Sequence, residues 1–118
     1  MSGEIMKKSR GTDFWGKWCI TEMELWEKDY FDMEVRAYIE IQSGGAGEFQ
    51  FGLVSGEIDG EVIKYPDGER FEFTWEGNDE CDHVSRHGWL KLAGNNTLEG
   101  QFKFHHGDRS AFKAKSTS

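Results

Sequence analysis

Apolar and polar residues alternate along most of this chain with a period of two. Val35, Ala37, Ile39 and Ile41 alternate with Arg36, Tyr38, Glu40 and Gln42, which predicts a half-buried strand. Ser43-Gly44-Gly45-Ala46-Gly47 breaks it. Phe49, Phe51 and Leu53 then alternate with Gln50 and Gly52, and Val54 to Ile58 continues past Gly52 and Gly56, where a bulge or bend is expected. Asp59-Gly60 is a two-residue hairpin signal, followed by a strand over Glu61 to Tyr65. Pro66-Asp67-Gly68 predicts a further turn. Phe71, Phe73 and Trp75 alternate with Glu72, Thr74 and Glu76. Trp89 to Leu92 reads as a short strand, closed by a turn at Gly94-Asn95-Asn96. Leu98, Phe102 and Phe104 share one face, with Gly100 in the gap. His106-Gly107-Asp108 turns the chain into a last strand over Ala111 to Lys113. Trp15 to Met23 is a strand near the start.

Only Glu24 to Met33 departs from this period. Leu25, Trp26, Asp29, Tyr30 and Met33 recur at spacings of three and four, which fits a short helix or a loop packed by Trp26 and Tyr30. The sum is all-β: about eight strands with closely spaced turns and short connections. Short connections favour sequential neighbours, so an antiparallel up-and-down meander closed into a small barrel is expected, with a β-sandwich as the alternative. Residues 1–12 read as a loose polar arm, 13–114 as one β domain and 115–118 as a tail.

Composition changes the picture of the core. The chain has 118 residues, 36% of them hydrophobic and 14% aromatic, with nine Phe, five Trp and three Tyr. Such a chain buries about two-thirds of its unfolded surface. Rings, each burying roughly 150–250 Å², must fill much of that core. Net charge is −8, and the only basic cluster, Lys7, Lys8 and Arg10, lies in the arm. Nucleic acid and anionic membrane surfaces are therefore poor partners. No stretch is apolar enough to span a bilayer, and no apolar run follows the basic residues of the arm, so no membrane span and no secretory signal are expected. Cys19 and Cys81 read as free thiols in a reducing cytoplasm. Asn95-Asn96-Thr97 matches a glycosylation sequon and is read as a turn.

Gly16-Lys17-Trp18 on the first strand resembles the Gly-x-Trp start of calycins, the superfamily of lipocalins, fatty-acid-binding proteins and avidins. That resemblance implies a meander barrel with Trp18 plugging one end. The later Thr-Asp-Tyr turn of lipocalins and the biotin contacts of avidin have no counterpart. Gly47-Glu48-Phe49-Gln50-Phe51-Gly52, Phe73 to Glu80, Leu98-Glu99-Gly100 and Phe104 to Phe112 resemble a group of short uncharacterised bacterial proteins, which implies no activity.

Each candidate for chemistry also has a plain structural role. Asp79, Cys81 and His83, with His105 and His106 further on, are a donor set zinc would accept, but no ligand spacing repeats and adjacent histidines on a strand face opposite ways. Asn78, Asp79, Glu80 and Asp82 lack calcium-loop spacing and read as a solvated turn. Glu57, Glu72 and Glu76 are acid/base candidates that spacing does not single out, with Glu72 and Glu76 on the polar face. Cys19 is expected buried in its strand, and Cys81 lies near His83.

The leading reading is a small-molecule pocket. Alternation turns Ile39, Phe49, Phe51, Phe71, Phe73, Trp75, Phe102 and Phe104 inward, with His106 at the end of the stripe. The site residues are then Trp18, Phe73, Trp75, Phe104 and His106, around a small apolar or aromatic ligand, with no metal and no cofactor. Two alternatives stand beside it. One is a small cytoplasmic hydrolase or isomerase using His106, His83 or nearby acids. The other is a protein-interaction module with a filled barrel, presenting polar positions such as Arg36, Tyr38, Glu40, Gln42, Glu72 and Thr74. A dimer is compatible with each.

Overall fold

The computed structural model describes residues 14–79, 82–94, 96–104 and 109–117. Eight strands follow one another: β1 Gly16–Met23, β2 Tyr38–Ile41, β3 Ala46–Phe51, β4 Val54–Tyr65, β5 Gly68–Asp79, β6 Asp82–Gly94, β7 Thr97–Lys103 and β8 Arg109–Ser116. Each pairs antiparallel with the next, and β8 pairs back on β1, so the sheet is a closed meander barrel. Closure leaves no sheet edge around the barrel wall. One short helix, α1 Lys28–Phe31, lies in the β1–β2 connection. Thus the ambiguous stretch holds both expected features: a single helical turn, and Trp26 stacked on Tyr30 at 5.8 Å. Among the described residues no helix is long and apolar enough to cross a membrane.

Alternation sends one set of side chains inward. Ile39, Phe49, Phe51, Phe71, Phe73, Trp75 and Phe102 are all buried, as is Trp18. The same alternation puts Cys19 on the outside, between inward Trp18 and Ile20, and it is half-exposed. Its expected burial is corrected by parity: neighbours on a strand face opposite sides.

Several boundaries also differ from the pattern. Asp59-Gly60 is no hairpin; it lies inside the 12-residue β4, where Asp59 pairs with Thr74 and Gly60 with Phe73. Gly60 is there for close approach. A Cβ on it would stand 2.4 Å from the Glu72 carbonyl oxygen and 2.8 Å from the Phe71 ring. The hairpin turn is Gly52-Leu53 instead, because Phe51 pairs with Val54. Gly52 has φ +57 while Leu53 does not turn positive, the pattern of a type II′ turn that suits twisted strands. Pro66-Asp67 makes the next two-residue turn, with Tyr65 paired to Gly68. The expected break at Ala46-Gly47 is already strand, and β2 starts at Tyr38, leaving Val35 exposed. β6 is 13 residues long, although only Trp89 to Leu92 carries strand pattern. The polar stretch before it is drawn into the sheet by pairing with β5, a case of neighbours overriding local propensity. β8 runs to Ser116, two residues beyond Ala114.

Candidate functional site

The predicted site residues fall in different parts of the barrel. Phe73 and Trp75 point inward from β5 and are packed among other rings. Phe102 is the hub of that packing. Its ring centroid lies 4.8 Å from Phe49, 5.2 Å from Phe51, 6.0 Å from Phe73 and 4.7 Å from Phe112. These separations are those of rings in direct contact. Phe104 is half-buried, 5.6 Å from Trp75 and 6.2 Å from Phe51. Trp18 is buried apart from them; its Nε1–H donates to the Phe14 carbonyl at 3.1 Å, and among the described residues it makes no ring contact with the others. His106, with Cys81 and His105, lies outside the described residues. So the structure brings Trp75 and Phe104 together and links Phe73 to them through Phe102.

The Phe104 end of this ring cluster is covered by the β1–β2 connection. Trp26 stands edge-on to Phe104 at 5.5 Å and tilted on Phe51 at 5.2 Å. The cover is pinned at several points. The Gly52 N–H donates to the Phe31 carbonyl at 2.8 Å, and the Leu53 N–H donates to the Tyr30 hydroxyl at 3.3 Å. The Tyr30 ring lies so close to Gly52 that a Cβ there would be 2.2 Å from it. Asp32 accepts from the Ala37 N–H at 2.8 Å and pairs with Lys28. Burial on its own would raise the Asp32 carboxyl, yet the Lys28 ammonium, the Ala37 N–H and the Arg36 charge hold it below its ordinary value. One inward polar atom is left over. Trp75 Nε1 is buried and has no hydrogen-bond partner among the described residues.

The outer wall differs sharply in charge. Register places Glu40 opposite Glu48, Glu48 opposite Glu57, and Glu57 opposite Glu76, so one row of glutamates crosses four neighbouring strands. Directly opposed like charges are destabilising. A groove of about 390 Å³ runs along this row, lined by Tyr38, Glu48, Gln50, Ser55, Glu57, Glu76 and Asn78. The Tyr38 hydroxyl donates to Glu48 Oε2 at 2.8 Å. Burial first, then that hydrogen bond and the charges of Glu48 and Glu40, push the Tyr38 phenol up to about 12. A second groove of about 480 Å³ lies on β4, β5 and β6, lined by Asp59, Glu61, Glu72, Thr74 and His87 above a floor of Gly60, Phe73 and Gly88. Glu72 accepts from the Tyr65 hydroxyl, which raises the Tyr65 phenol. A cationic stripe runs from Lys115 on β8 over Lys17 on β1 to Arg36, just before β2.

Sequence reasoning named Glu57, Glu72 and Glu76 but missed the row, because only register shows which glutamates stand side by side. It missed His87 and the surroundings of Cys19 for the same reason. Among the described residues no group of three or more His, Cys, Asp or Glu side chains is placed to hold a metal ion. No family model, curated protein or solved structure matches the chain. The class defined here is therefore one of architecture: a small closed eight-stranded meander barrel with an aromatic interior.

Proposed function

We propose that this protein is a non-enzymatic interaction module that works from the outside of a filled barrel, and that its acidic wall receives a cationic partner segment. The observation that carries the reading is the unbroken glutamate row Glu40–Glu48–Glu57–Glu76 on the outer face, set over an interior occupied by mutually touching rings. Four carboxylates in one row repel each other and cost the free fold stability. A lysine- or arginine-rich segment laid along the groove relieves that repulsion and gains charge-assisted hydrogen bonds. The −8 net charge speeds the approach of such a partner.

Calorimetric titration with an oligo-lysine peptide tests this. Binding that weakens steeply with salt and is reduced in the E57Q/E76Q variant is expected. Binding that ignores both changes rejects the acidic wall as the docking face.

A second reading is favoured by one observation, the unpartnered Trp75 Nε1–H beside half-buried Phe104. An unmet buried donor costs about 1–3 kcal/mol. A small, largely apolar ligand with one acceptor atom, seated under Trp26 at this end, would satisfy it. The resemblance of Gly16-Lys17-Trp18 to calycins points the same way. Native mass spectrometry of protein from its own host tests it: a retained small molecule that is lost in W75F supports the reading, and bare protein opposes it.

A further inference from the structure

The parity that places Cys19 outside also builds a cationic groove around it. Lys17, Cys19 and Thr21 are the outward residues of β1 over this span. In register, Cys19 has Lys115 on one side and Tyr38 on the other. The Ile20 N–H donates to the Ala37 carbonyl at 2.9 Å, which extends the β1–β2 pairing and carries Arg36 alongside Thr21. Arg36 then donates Nε–H to Cys19 Sγ at 3.0 Å. Lys17 reaches across to Tyr38, with Nζ 4.6 Å from the ring centroid. The Thr117 hydroxyl donates to the Lys17 carbonyl at 3.2 Å and brings the end of the chain to the same groove. These groups line a hollow of about 520 Å³.

Three cations, from β1, β8 and the segment before β2, converge here; among the described residues none of them is in an ion pair, and Arg36 acts on the Asp32 carboxylate only through its charge. The nearest carboxylate in register is Glu40, opposite Lys17. On a chain of net charge −8 this patch has the opposite sign to its surroundings. Arg36 is held through Nε by the Cys19 sulfur, which leaves its two terminal nitrogens as a fork. A planar fork flanked by two ammonium groups suits an anion with at least two oxygens on one centre. The Thr21 and Thr117 hydroxyls add donors at the rim.

We infer that this groove is a binding site for a small oxyanion, phosphate or carboxylate in class, with Arg36 as the fork, Lys17 and Lys115 as flanking charges and the Cys19 thiol at its floor. The site has the opposite charge to the acidic wall and adjoins it at Tyr38 and Glu40, and its test below reads Cys19 and uses no residue of the glutamate row.

Cys19 reports on the site. In a C81S background its alkylation by iodoacetate and by iodoacetamide is timed, and the ratio is compared with that of a free cysteine peptide. A site of this kind raises the ratio in favour of the anionic reagent by about threefold or more, less so at high salt. In R36Q/K115Q, both changes being at exposed positions, the ratio falls back to that of the peptide. Inorganic phosphate and citrate are then added separately as protectants. Slowing by phosphate alone assigns a phosphate ligand, slowing by citrate alone a carboxylate ligand, and slowing by both the shared oxyanion chemistry. A ratio equal to that of the peptide, or no protection by either anion, overturns the site.

Discussion

The inner and outer faces of β5 are made from alternate residues of one strand, yet they obey different rules. Inward, Phe71, Phe73 and Trp75 are packed ring on ring, and each position is constrained by volume. Outward, Glu72, Thr74 and Glu76 sit beside other carboxylates and are held only by surface contacts such as the Tyr65 hydroxyl on Glu72. The inside supplies stability and the outside accepts its cost. A barrel whose interior is occupied has only its wall to offer a large partner, and the proposed function rests on that difference between the faces.

That contrast breaks most visibly at Phe102. Phe102→Ala opens a hole at the hub of the ring cluster and is expected to cost about 3–5 kcal/mol in chemical denaturation. The same truncation at outward Glu76 is expected to stay within about 0.5 kcal/mol. Similar losses at the two positions would mean the interior is not the source of stability.

Next in size is the cover over the Phe104 end. Gly52→Ala forces a side chain into a left-handed backbone and against the Tyr30 ring, at an expected cost of about 1–3 kcal/mol. Faster hydrogen exchange across 24–37 should accompany it. Unchanged exchange there would show that the cover is not held by the Tyr30–Gly52 contact.

A smaller effect has the opposite sign. E57Q/E76Q removes two of the opposed charges and is expected to raise stability by about 0.2–1 kcal/mol while weakening oligo-lysine binding. Stability and binding moving in the same direction would contradict the trade proposed for the wall.

The smallest effect is a titration. The folded Tyr38 phenol, at about 12, lies above its ordinary value of 10.0, so folding favours the neutral form. Its contribution is intact below pH 10 and is lost as pH rises towards 12. Ultraviolet tyrosinate titration of the wild type and of E48Q checks this: the late-titrating phenol should move down once the negative charge at position 48 is removed.

Much of the barrel was legible in the pattern. Strand parity gave the inward residues of β3, β5 and β7 correctly, because each alternates large apolar with polar side chains. The errors arose where one residue type serves two purposes. Gly60 carries the mark of a turn but answers a steric demand from Glu72 and Phe71 across the sheet. The first half of β6 carries no strand pattern and is strand only because β5 lies beside it. The outer sites were less legible than the fold. A row such as Glu40–Glu48–Glu57–Glu76 depends on the register of four strands, and sequence spacing alone does not fix register. Arg36 meets Cys19 by the same route, through the pairing of β1 with the segment before β2.

The central claim, an occupied interior and a working wall, is tested most directly by a nitrogen-15 NMR titration with oligo-lysine. The amides of β3, β4 and β5 around Glu48, Glu57 and Glu76 should shift, while the Trp75 indole N–H inside the barrel stays where it is. A stationary wall together with a moving Trp75 signal would contradict the account and place recognition inside the barrel.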